Sequence, residues 1–579
     1  MARVAGTVGK GSCGMINSVK ITNWRCFESL EIPLAPLTAF VGPNGAGKSA
    51  VLQAIDIVLG SRWPNMGSLD IPRDFYNLES DRALAIRCGF DPPLEHIDLA
   101  GNSHGVAYLQ YQCQPYRRKT GKSDVGDLHD DLVAFDETLS QLMVPTSRPQ
   151  KGKKLEFGPF IRLNSGLRDQ ARVLMIGDRR SVAAQASGRR GSILNTLLSG
   201  VRKDFDKDLD GNRTDFKARY DEALTALRTT AVQEIEGTIA ETAKQMLGFL
   251  GRGALSNLDI TFGFGDPANP FGSLTMMCRE GDLVLPAELM GLGIQSAIVV
   301  GVFEALRKQQ SNIGTVLIEE PEMYLHPQAQ RFFHQLLVDM VDAGQSQVIY
   351  TTHSPIFADM TRFNSIRVFG KQAGASSQVR WISSHDDQTY LQGQVDRQKL
   401  SQYMDPAASE ALFARRVLLV EGHGDYLAVR MVARKMAAVL DGEGLSIVSC
   451  GGKNSIPFFA KMCNSLDISV LVLHDEDIYV APDGEVLTKW QIEENEKAPK
   501  ANEEIEAALG SSEGLFRISP SLEGALGIGR SASDKPRKVV DALEAMELSD
   551  MPTALVEAVR YLVNAHSDRG PAVGDAADA

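Results

Sequence analysis

The sequence lacks the features of a membrane, secreted or zinc-stabilised protein. No apolar run in its 579 residues approaches the ~20 residues that a membrane-spanning helix needs. Its seven cysteines include no C-x-x-C pair, which excludes a zinc ribbon and gives no sign of a disulfide framework. Residues 1–14 contain no hydrophobic stretch typical of a signal peptide, and Met15 is a second candidate for the first residue. We therefore expect a chain that works in a reducing cytoplasm without a membrane partner.

An excess of basic charge is also missing. The formal net charge is −13, which argues against nonspecific coating of nucleic acid but not against a local basic groove. Residues 172–203 are the most basic segment, and Asp178 is their single acid. Such density suits phosphate contacts, while a solvated face or ion pairs between subunits would explain it equally well. The basic residues are Arg172, Arg179, Arg180, Arg189, Arg190, Arg202 and Lys203.

A phosphate-binding loop is the clearest motif that is present. Residues 42–49 fit G-x-x-x-x-G-K-[ST], after a predicted buried strand at 37–41 and before a predicted helix at 50–59. Glycines let main-chain N–H groups surround phosphates at a helix N-terminus. Lys48 is expected to reach the β- and γ-phosphates of ATP, and Ser49 to give an oxygen to Mg²⁺. The predicted nucleotide contacts are Gly42, Asn44, Gly45, Gly47, Lys48 and Ser49.

Acidic residues follow a later apolar strand. Residues 315–318 predict a buried strand that ends at Glu319 and Glu320, and residues 347–350 predict another that precedes His353. Hydrolysis of a nucleotide bound to Mg²⁺ requires such acids. Glu319 is expected to hold the metal, Glu320 to orient or deprotonate the attacking water, and His353 to contact the γ-phosphate.

These motifs together resemble ABC-type ATPases of the SMC and RecF kind, in which two heads enclose ATP. The resemblance implies a homodimer or higher oligomer in which Gly291, Gly293 and Gln295 of one copy contact the nucleotide of another. Leu292 stands where the family has a serine, and Glu319 replaces the commoner aspartate. For the Q-loop glutamine, Gln112 and Gln114 are only weak candidates.

Less distinctive segments separate these motifs. Strands are predicted at 16–21, 30–34, 84–90 and 106–112, with Arg25 in the first turn, where an arginine could approach the nucleotide. The polar residues 119–154 predict an exposed excursion, and residues 371–402 a polar linker. Apolar residues at helical spacing over 216–250 predict amphipathic helices, either a dimerisation arm or helices packed on their own domain.

A second α/β pattern begins after the linker. Strands are predicted at 416–420, 445–449 and 470–473, the first followed by a helix to residue 439. Their carboxyl ends should gather Glu421, Asp425, Asp475 and Asp477, with the last two on one face by strand alternation. Clustered carboxylates suit Mg²⁺, Mn²⁺ or Ca²⁺. His423 and His474 are expected to be neighbours rather than ligands, and 478–495 an inserted hairpin.

The second pattern resembles a Toprim domain, and the combination with the ATPase resembles the OLD (overcoming lysogenization defect) family over residues 16–540. That family includes the nuclease component of Gabija-type phage defence. The resemblance implies DNA cleavage with two metal ions, with Glu421 and Asp475 at the reacting centre. It also implies that Glu523 holds metal, that Lys535 assists (with Lys538 in reserve), and that a helicase or other defence protein can act as partner. Asp425 stands where the family has glutamate.

The predicted fold class is α/β, with an N-terminal P-loop ATPase, a helical insertion and a C-terminal Toprim domain. The predicted divisions are the first part of the ATPase at 15–165, the basic and helical insertion at 166–255, the second part of the ATPase at 256–400, Toprim at 405–560 and a disordered tail at 561–579. Three alternatives stay open: a non-cutting ATP-dependent DNA clamp or sensor, a topoisomerase or primase, and an RNA-processing nuclease. A topoisomerase would need a further domain with a tyrosine nucleophile, and many primases carry a zinc module that these cysteines exclude.

Overall fold

The computed structural model describes most of the chain and assigns its regular elements. It covers residues 14–60, 64–120, 123–146, 156–159, 170–171, 173–177, 194, 197–198, 230–248, 258–264, 274–280, 283–309, 314–371, 375–398, 406–481, 486–511, 513–529 and 534–564. The strands are β1 (Met15–Trp24), β2 (Phe27–Pro33), β3 (Leu37–Val41), β4 (Leu84–Ile97), β5 (Ser103–Thr120), β6 (Ser123–Phe135), β7 (Met143–Pro145), β8 (Phe157–Pro159), β9 (Val173–Ile176), β10 (Leu258–Phe264), β11 (Leu274–Glu280), β12 (Leu283–Pro286), β13 (Gly314–Glu319), β14 (Ser346–Thr352), β15 (Ile366–Gly370), β16 (Gln378–Arg380), β17 (Arg416–Val420), β18 (Leu445–Ser449), β19 (Ser469–Asp475) and β20 (Leu515–Ile518). The helices are α1 (Lys48–Leu59), α2 (Thr230–Gly248), α3 (Leu292–Gln309), α4 (Pro327–Asp342), α5 (His385–Gln398), α6 (His423–Lys435), α7 (Ile456–Ser465), α8 (Lys489–Leu509), α9 (Leu522–Ala525), α10 (Lys535–Ala545) and α11 (Thr553–Asn564).

The chain divides into two compact units. The first contains residues 1–357 and 369–379, and the second contains 358–368 and 380–579. Within the described residues, no helix is both long and apolar enough to cross a membrane. The predicted α/β fold class is confirmed, whereas the predicted domain boundaries stay predictions.

The first unit is built around a sheet in which β3, β14, β13 and β9 lie side by side in that order. Every residue of β3, β13 and β14 is buried, which explains why these strands are continuous apolar runs rather than alternating ones. β3, β14, β13 and β9 run parallel, so their carboxyl ends share one edge. An antiparallel sheet of order β2-β1-β4-β5-β6 contributes to the same core as α1.

Two predictions about this unit can be settled. The expected exposed excursion at 119–154 is partly wrong, because residues 123–135 form β6 and pair with β5, burying Leu132 and Ala134. Long pairing with β5 and the apolar run at 132–135 fix this segment as a strand. Residues 230–248 form the predicted amphipathic helix, and its Ile239 packs so closely on α3 that a Cβ at Gly301 would lie 2.7 Å from the Ile239 carbonyl oxygen. The rest of the 216–250 pattern and the basic residues of 172–203 lie outside the described residues.

The second unit contains a parallel sheet of order β18-β17-β19-β20. β17 is buried from Val417 to Val420, since α6, α10 and α11 share a core with one side of the sheet and α7 packs against β17 and β19. The parallel pairing confirms the predicted strand–helix alternation. It also places the carboxyl ends of all four strands at one rim.

Three local predictions in this unit are wrong. The expected polar linker at 371–402 contains α5, which buries Leu391 and Val395 and packs on α7. The helix after β17 ends at Lys435 rather than at residue 439. The expected hairpin at 478–495 is replaced by α8, which starts at Lys489 because Thr488 and Gln491 form a capping box.

Candidate functional site

The parallel sheet of the first unit brings the predicted ATPase residues to one edge. β14 lies between β3 and β13, so the phosphate-binding loop after β3, Glu319 at the end of β13 and His353 after β14 are adjacent. The loop leads directly into α1, as the motif predicts. This edge is therefore the candidate nucleotide site.

Glycines in the loop are required by backbone conformation and by close packing. Gly42 has a φ of 140° and Gly47 a φ of 100°, in the region that favours glycine. A Cβ at Gly42 would overlap the Phe369 carbonyl oxygen, and one at Gly47 would lie 2.5 Å from the Cζ atom of Phe27. The packing around the loop thus fixes the path of its main-chain N–H groups.

Lys48 is buried within this loop. Its Nζ donates hydrogen bonds to the carbonyl oxygens of Gly42 at 2.8 Å and Pro43 at 3.0 Å. Burial lowers the pKa of Lys48 to about 8, although Glu320 and Glu322 favour the charged form. An ammonium that is desolvated in this way gains strongly from an anionic partner such as a phosphate.

The two adjacent carboxylates differ in their surroundings. Glu319 is buried, and its Oε1 lies 3.4 Å from the Nε2 of Gln53. Glu320 adopts a φ of 44°, and its N–H donates to the carbonyl and hydroxyl oxygens of Thr351. This backbone turn directs the Glu320 carboxylate towards His353, whose Nε2 lies 3.8 Å from Oε1. Burial, followed by the charge of Lys48, lowers the pKa of His353.

Glu322 is a residue that sequence reasoning missed. It accepts hydrogen bonds from the His353 N–H at 2.6 Å and the Thr352 hydroxyl at 3.0 Å, and burial raises its pKa. Glu322 therefore anchors the segment that carries His353. The acidic run after β13 contained this signal, but sequence alone gives no reason to separate a third acid from the first two.

Gln53 is a second missed residue, and it links Arg25 to the acid edge. Arg25 donates to Gln53 Oε1 and, at 2.7 Å, to Asp74, so its guanidinium is held beside α1. Gln53 follows Lys48 by little more than one helical turn, a spacing that could have identified it. Gln112, by contrast, accepts from Gln110 within the antiparallel sheet.

Residues 291–295, which are predicted to contact the nucleotide of a second copy, contain both exposed and buried side chains. Gly291 precedes α3, Gly293 lies in its first turn, and Leu292 is 52% exposed. Gln295 is buried, and its Nε2 donates to the carbonyl oxygens of Glu288 and Met290. Its amide therefore supports the turn before α3. The predicted contacts with a second copy stay predictions.

The second unit gathers acids at the rim of its parallel sheet. One oxygen of each of three carboxylates is held by a main-chain N–H, which orients the carboxylate. Glu421 Oε1 accepts from Asp475 at 2.8 Å, Asp425 Oδ2 from Gly422 at 3.0 Å, and Asp475 Oδ1 from Leu522 at 2.9 Å. The three side chains are thus tied to β17, α6, β19 and α9 in one connected network, which we call the acid cluster together with Asp477 and Glu523.

Burial and mutual repulsion raise the pKa values of these three acids. The pKa of Glu421 rises to about 7 through burial and then the charge of Asp425. That of Asp425 rises to about 6 through burial, with Glu523 and Asp477 adding to the effect. That of Asp475 rises to about 9 through burial and then the charges of Asp425 and Glu421. Such carboxylates are stabilised by a cation among them.

Asp477 is held differently from the strand-alternation prediction. β19 ends at Asp475, and Asp477 has a φ of 54°, so alternation does not extend to it and that prediction is wrong. Its Oδ2 instead accepts from the Lys453 Nζ at 2.8 Å. Lys453, from the turn after β18, is a third residue that sequence reasoning did not assign a role.

The remaining predicted residues border the acid cluster. Lys535 at the start of α10 lies with its Nζ 3.5 Å from Glu523 Oε1, so the structure brings this predicted pair together. His474 is buried beside Asp475, with its Nδ1 2.8 Å from the Asp475 carbonyl oxygen, and burial lowers its pKa to about 4. His423 stacks on Tyr426. Both histidines are expected to stay neighbours rather than ligands.

The donor chemistry of the acid cluster fits a hard divalent cation. Its side chains offer carboxylate oxygens, and the raised pKa values of Glu421, Asp425 and Asp475 reflect burial and then the charges of neighbouring acids, both of which a cation would offset. Among the described residues, however, no three His, Cys, Asp or Glu side chains stand close enough to form a finished metal site. The cluster is therefore a set of neighbouring carboxylates that a cation would draw together.

Comparisons with known proteins match both units. Residues 15–225 and 167–358 match the AAA ATPase domain, and residues 412–477 match the TOPRIM domain of overcoming lysogenization defect protein-like proteins. The OLD nuclease of Thermus scotoductus is 44% identical over 553 residues, which cover 95% of this chain and 99% of that protein. The Old nuclease of Escherichia phage P2 is 23% identical over 488 residues, covering 79% of this chain and 77% of that protein. Among solved structures, the Smc head domain with an extended coiled coil bound to the C-terminal domain of ScpA, derived from Pyrococcus furiosus, gives a TM-score of 0.39 at 14% identity, covering 66% of this chain and 99% of that chain.

Proposed function

The chain belongs to the OLD nuclease family, and from that premise we propose that it hydrolyses DNA phosphodiesters at the acid cluster while ATP at the phosphate-binding loop regulates access to DNA. The match to the OLD nuclease of Thermus scotoductus confirms the predicted family resemblance. The observation that carries the proposal is the group of Glu421, Asp425 and Asp475 at the rim of a parallel sheet, where burial and then the charges of neighbouring acids raise the pKa of each. Burying three acids together is costly unless a cation joins them.

The three anchored carboxylates would hold the divalent ion. Each is oriented through one oxygen by a main-chain N–H, and a cation would draw the remaining oxygens together. We propose Mg²⁺ or Mn²⁺ in a two-metal arrangement, with Asp477 and Glu523 at the border of the site. When bound, such ions activate water and stabilise the leaving oxygen of a phosphodiester.

Lys535 and Glu523 would act beside the acids. The Lys535 ammonium lies 3.5 Å from Glu523, and the Lys535 side chain is about one third exposed. It is therefore accessible to a phosphate oxygen of DNA while it stays close to Glu523. A fixed positive charge at that position favours the extra negative charge that develops on the phosphate during cleavage.

The ATPase residues would act as a regulatory site. Lys48 would exchange its two carbonyl acceptors for the β- and γ-phosphates, and Ser49 and Glu319 would hold Mg²⁺. Glu320 would orient the attacking water, and His353 would contact the γ-phosphate. Cleavage of DNA is downhill without ATP, so nucleotide turnover would time access to DNA rather than drive bond breaking.

A second copy of the chain would complete the nucleotide site. In this proposal Gly291 and Gly293 approach the phosphates bound by the other copy in a homodimer or a higher oligomer, while the buried Gln295 supports the turn that carries them. Gly291 and Leu292 are exposed on the described surface, as that arrangement needs. We further propose that the protein acts in the cytoplasm in defence against phage, with a helicase as one class of partner. The six described cysteines are free thiols, in keeping with a reducing compartment.

A plasmid assay tests the proposal. Purified protein is incubated with supercoiled DNA in EDTA, Mg²⁺ or Mn²⁺, with and without ATP, and with RNA of matched length as a competing substrate. We expect cutting of DNA that requires a divalent ion and changes in rate with ATP. Absence of cutting with every metal, while ATP hydrolysis persists, would favour a DNA clamp, and preferential cutting of RNA would favour an RNA-processing nuclease.

A further inference from the structure

Lys453 occupies an unusual place among the acids of the second unit. It follows Gly451 and Gly452, whose φ values of 75° and 137° make the tight turn after β18. The Gly452 N–H donates to the Glu421 carbonyl oxygen at 2.8 Å, which ties this turn to the end of β17. The Lys453 side chain then reaches β19, two strands away from its own. Its ammonium therefore crosses the rim next to Glu421.

The contacts of this ammonium are all with the segment after β19. Nζ donates to the Asp475 carbonyl oxygen at 2.6 Å and to Asp477 Oδ2 at 2.8 Å, and it lies 3.5 Å from the Glu476 carbonyl oxygen. Three acceptors satisfy the three donors of an ammonium. Its charge also acts on Glu421, where it favours the ionised carboxylate.

Burial distinguishes this ion pair from the surface pairs of the chain. The side chains of Lys453 and Asp477 are 12% and 21% exposed, whereas those of Lys20 and Glu31, also 2.8 Å apart, are 46% and 63% exposed. Exposed pairs contribute little, but a partly buried charge leaves a strong field when its partner is removed. The Lys453–Asp477 pair therefore affects the electrostatics of the whole acid cluster.

We propose that Lys453 is a positioning residue whose ammonium acts as a counter-cation in the acid cluster. Because it pairs with Asp477, the first metal ion is bound by Glu421, Asp425 and Asp475 only. This inference rests on the proposed function, because it assumes that those acids hold a divalent ion. It departs from the sequence-based expectation that Asp475 and Asp477 share one face and both bind metal. Lys453 pairs with Asp477 as Lys535 pairs with Glu523, so these two ammonium groups offset part of the charge of the five acids.

The pairing predicts the direction in which metal affinity changes. Lys453→Met shortens the unbranched side chain by one atom, removes a positive charge that repels the metal ion, and releases Asp477. We expect the Kd for Mn²⁺ to tighten by about tenfold, the order for one like charge removed from a partly solvent-screened site. The Mn²⁺ concentration that gives half-maximal cleavage should fall by the same factor. Lys453→Arg keeps the charge and should keep an affinity near that of the wild-type protein.

Two further variants separate a counter-cation from a structural lysine. In Asp477→Asn the unpaired Lys453 should weaken Mn²⁺ binding, whereas the double variant Lys453→Met/Asp477→Asn removes a neutral pair and should return the Kd to within about threefold of wild type. If Asp477 were instead a ligand of the first ion, the double variant would bind Mn²⁺ as weakly as Asp477→Asn. That result would overturn the proposal.

The decisive experiment is Mn²⁺ titration by isothermal calorimetry on the full chain without DNA, with melting temperatures of the metal-free variants. Lys461→Met is the matched control, since Lys461 pairs with Asp387 at 2.8 Å outside the acid cluster. Tightening in Lys453→Met, none in Lys461→Met and recovery in the double variant support the inference. Unchanged or weaker binding in Lys453→Met refutes it. Asp475→Asn should weaken Mn²⁺ binding strongly, and its failure to do so would instead contradict the proposed function.

Discussion

Two glycines of the phosphate-binding loop give a matched test of how the fold constrains the nucleotide site. Gly45 and Gly47 both have positive φ, at 75° and 100°. They differ in space: no heavy atom lies within 4 Å of a Cβ added at Gly45, whereas one added at Gly47 would overlap the Cys26 sulfur and the Phe27 ring. Alanine at each position therefore carries the same conformational cost but a different packing cost.

The expected magnitudes follow from these two terms. A left-handed backbone costs an alanine about 1–2 kcal/mol. Overlap with a packed ring and sulfur adds about 1–3 kcal/mol at Gly47 alone. We therefore expect Gly47→Ala to destabilise the first unit by about 3 kcal/mol and Gly45→Ala by about 1 kcal/mol. For a unit of this size these costs lower the melting temperature by about 4 °C and about 1 °C.

The assay is thermal unfolding of the full chain without nucleotide, followed by binding of a fluorescent ATP analogue. Gly47→Ala should lower the first melting transition much more than Gly45→Ala and should weaken nucleotide binding, because Cys26 and Phe27 can be relieved only by moving the loop. Equal melting temperatures for the two variants would contradict the predicted packing cost at Gly47, since they would show that its close contacts with Cys26 and Phe27 do not affect stability.

Two further predictions concern the acids of each unit. Glu320→Gln should lower the rate of ATP hydrolysis by about 10²–10³-fold while ATP binding persists. Glu322→Gln should mainly lower the melting temperature, because Glu322 anchors the His353 segment. Phosphate release and nucleotide binding are measured on both variants, and normal hydrolysis by Glu320→Gln would contradict the prediction. In the absence of metal, raised pKa values mean that folded Glu421, Asp425 and Asp475 hold protons which the unfolded chain has released, so stability is lost as the pH rises through about 6, 7 and 9. Melting curves in EDTA should therefore show a lower melting temperature for the second unit at high pH, and Mn²⁺ should reverse this; a second unit that grows more stable with rising pH would contradict the assigned repulsion.

Sequence predicted the elements whose local signals agree with their packing. The buried strands before Glu319 and Glu421 are continuous apolar runs, and the loop before Lys48 has a spacing that few other structures use. Parallel strand order then follows from strand–helix alternation, which is why the acids could be placed at one rim in advance.

The failures have physical causes in particular residues. α5 contains few apolar residues, and β6 belongs to a segment rich in polar residues, so packing on α7 and pairing with β5 decide their structure. The helix after Thr488 was missed although its capping box is visible in the sequence. The Gly-Gly-Lys turn at 451–453 is visible in the sequence as part of the Toprim resemblance, but the contacts of Lys453 are not, because they depend on a turn that carries its side chain to another strand.

In the proposed function, DNA is cleaved at the acid cluster of the second unit and ATP is hydrolysed at the phosphate-binding loop of the first. The most direct test measures cleavage of plasmid DNA by Asp475→Ala, with ATP hydrolysis followed on the same preparation. Asp467→Ala is the control, since Asp467 is exposed and pairs with Arg380 away from the acids. We predict that Asp475→Ala cuts DNA about 10³-fold more slowly, a loss of about 4 kcal/mol of transition-state stabilisation, with ATP hydrolysis retained. Cleavage by Asp475→Ala at the rate of Asp467→Ala would contradict the account and place the chemistry outside the acid cluster.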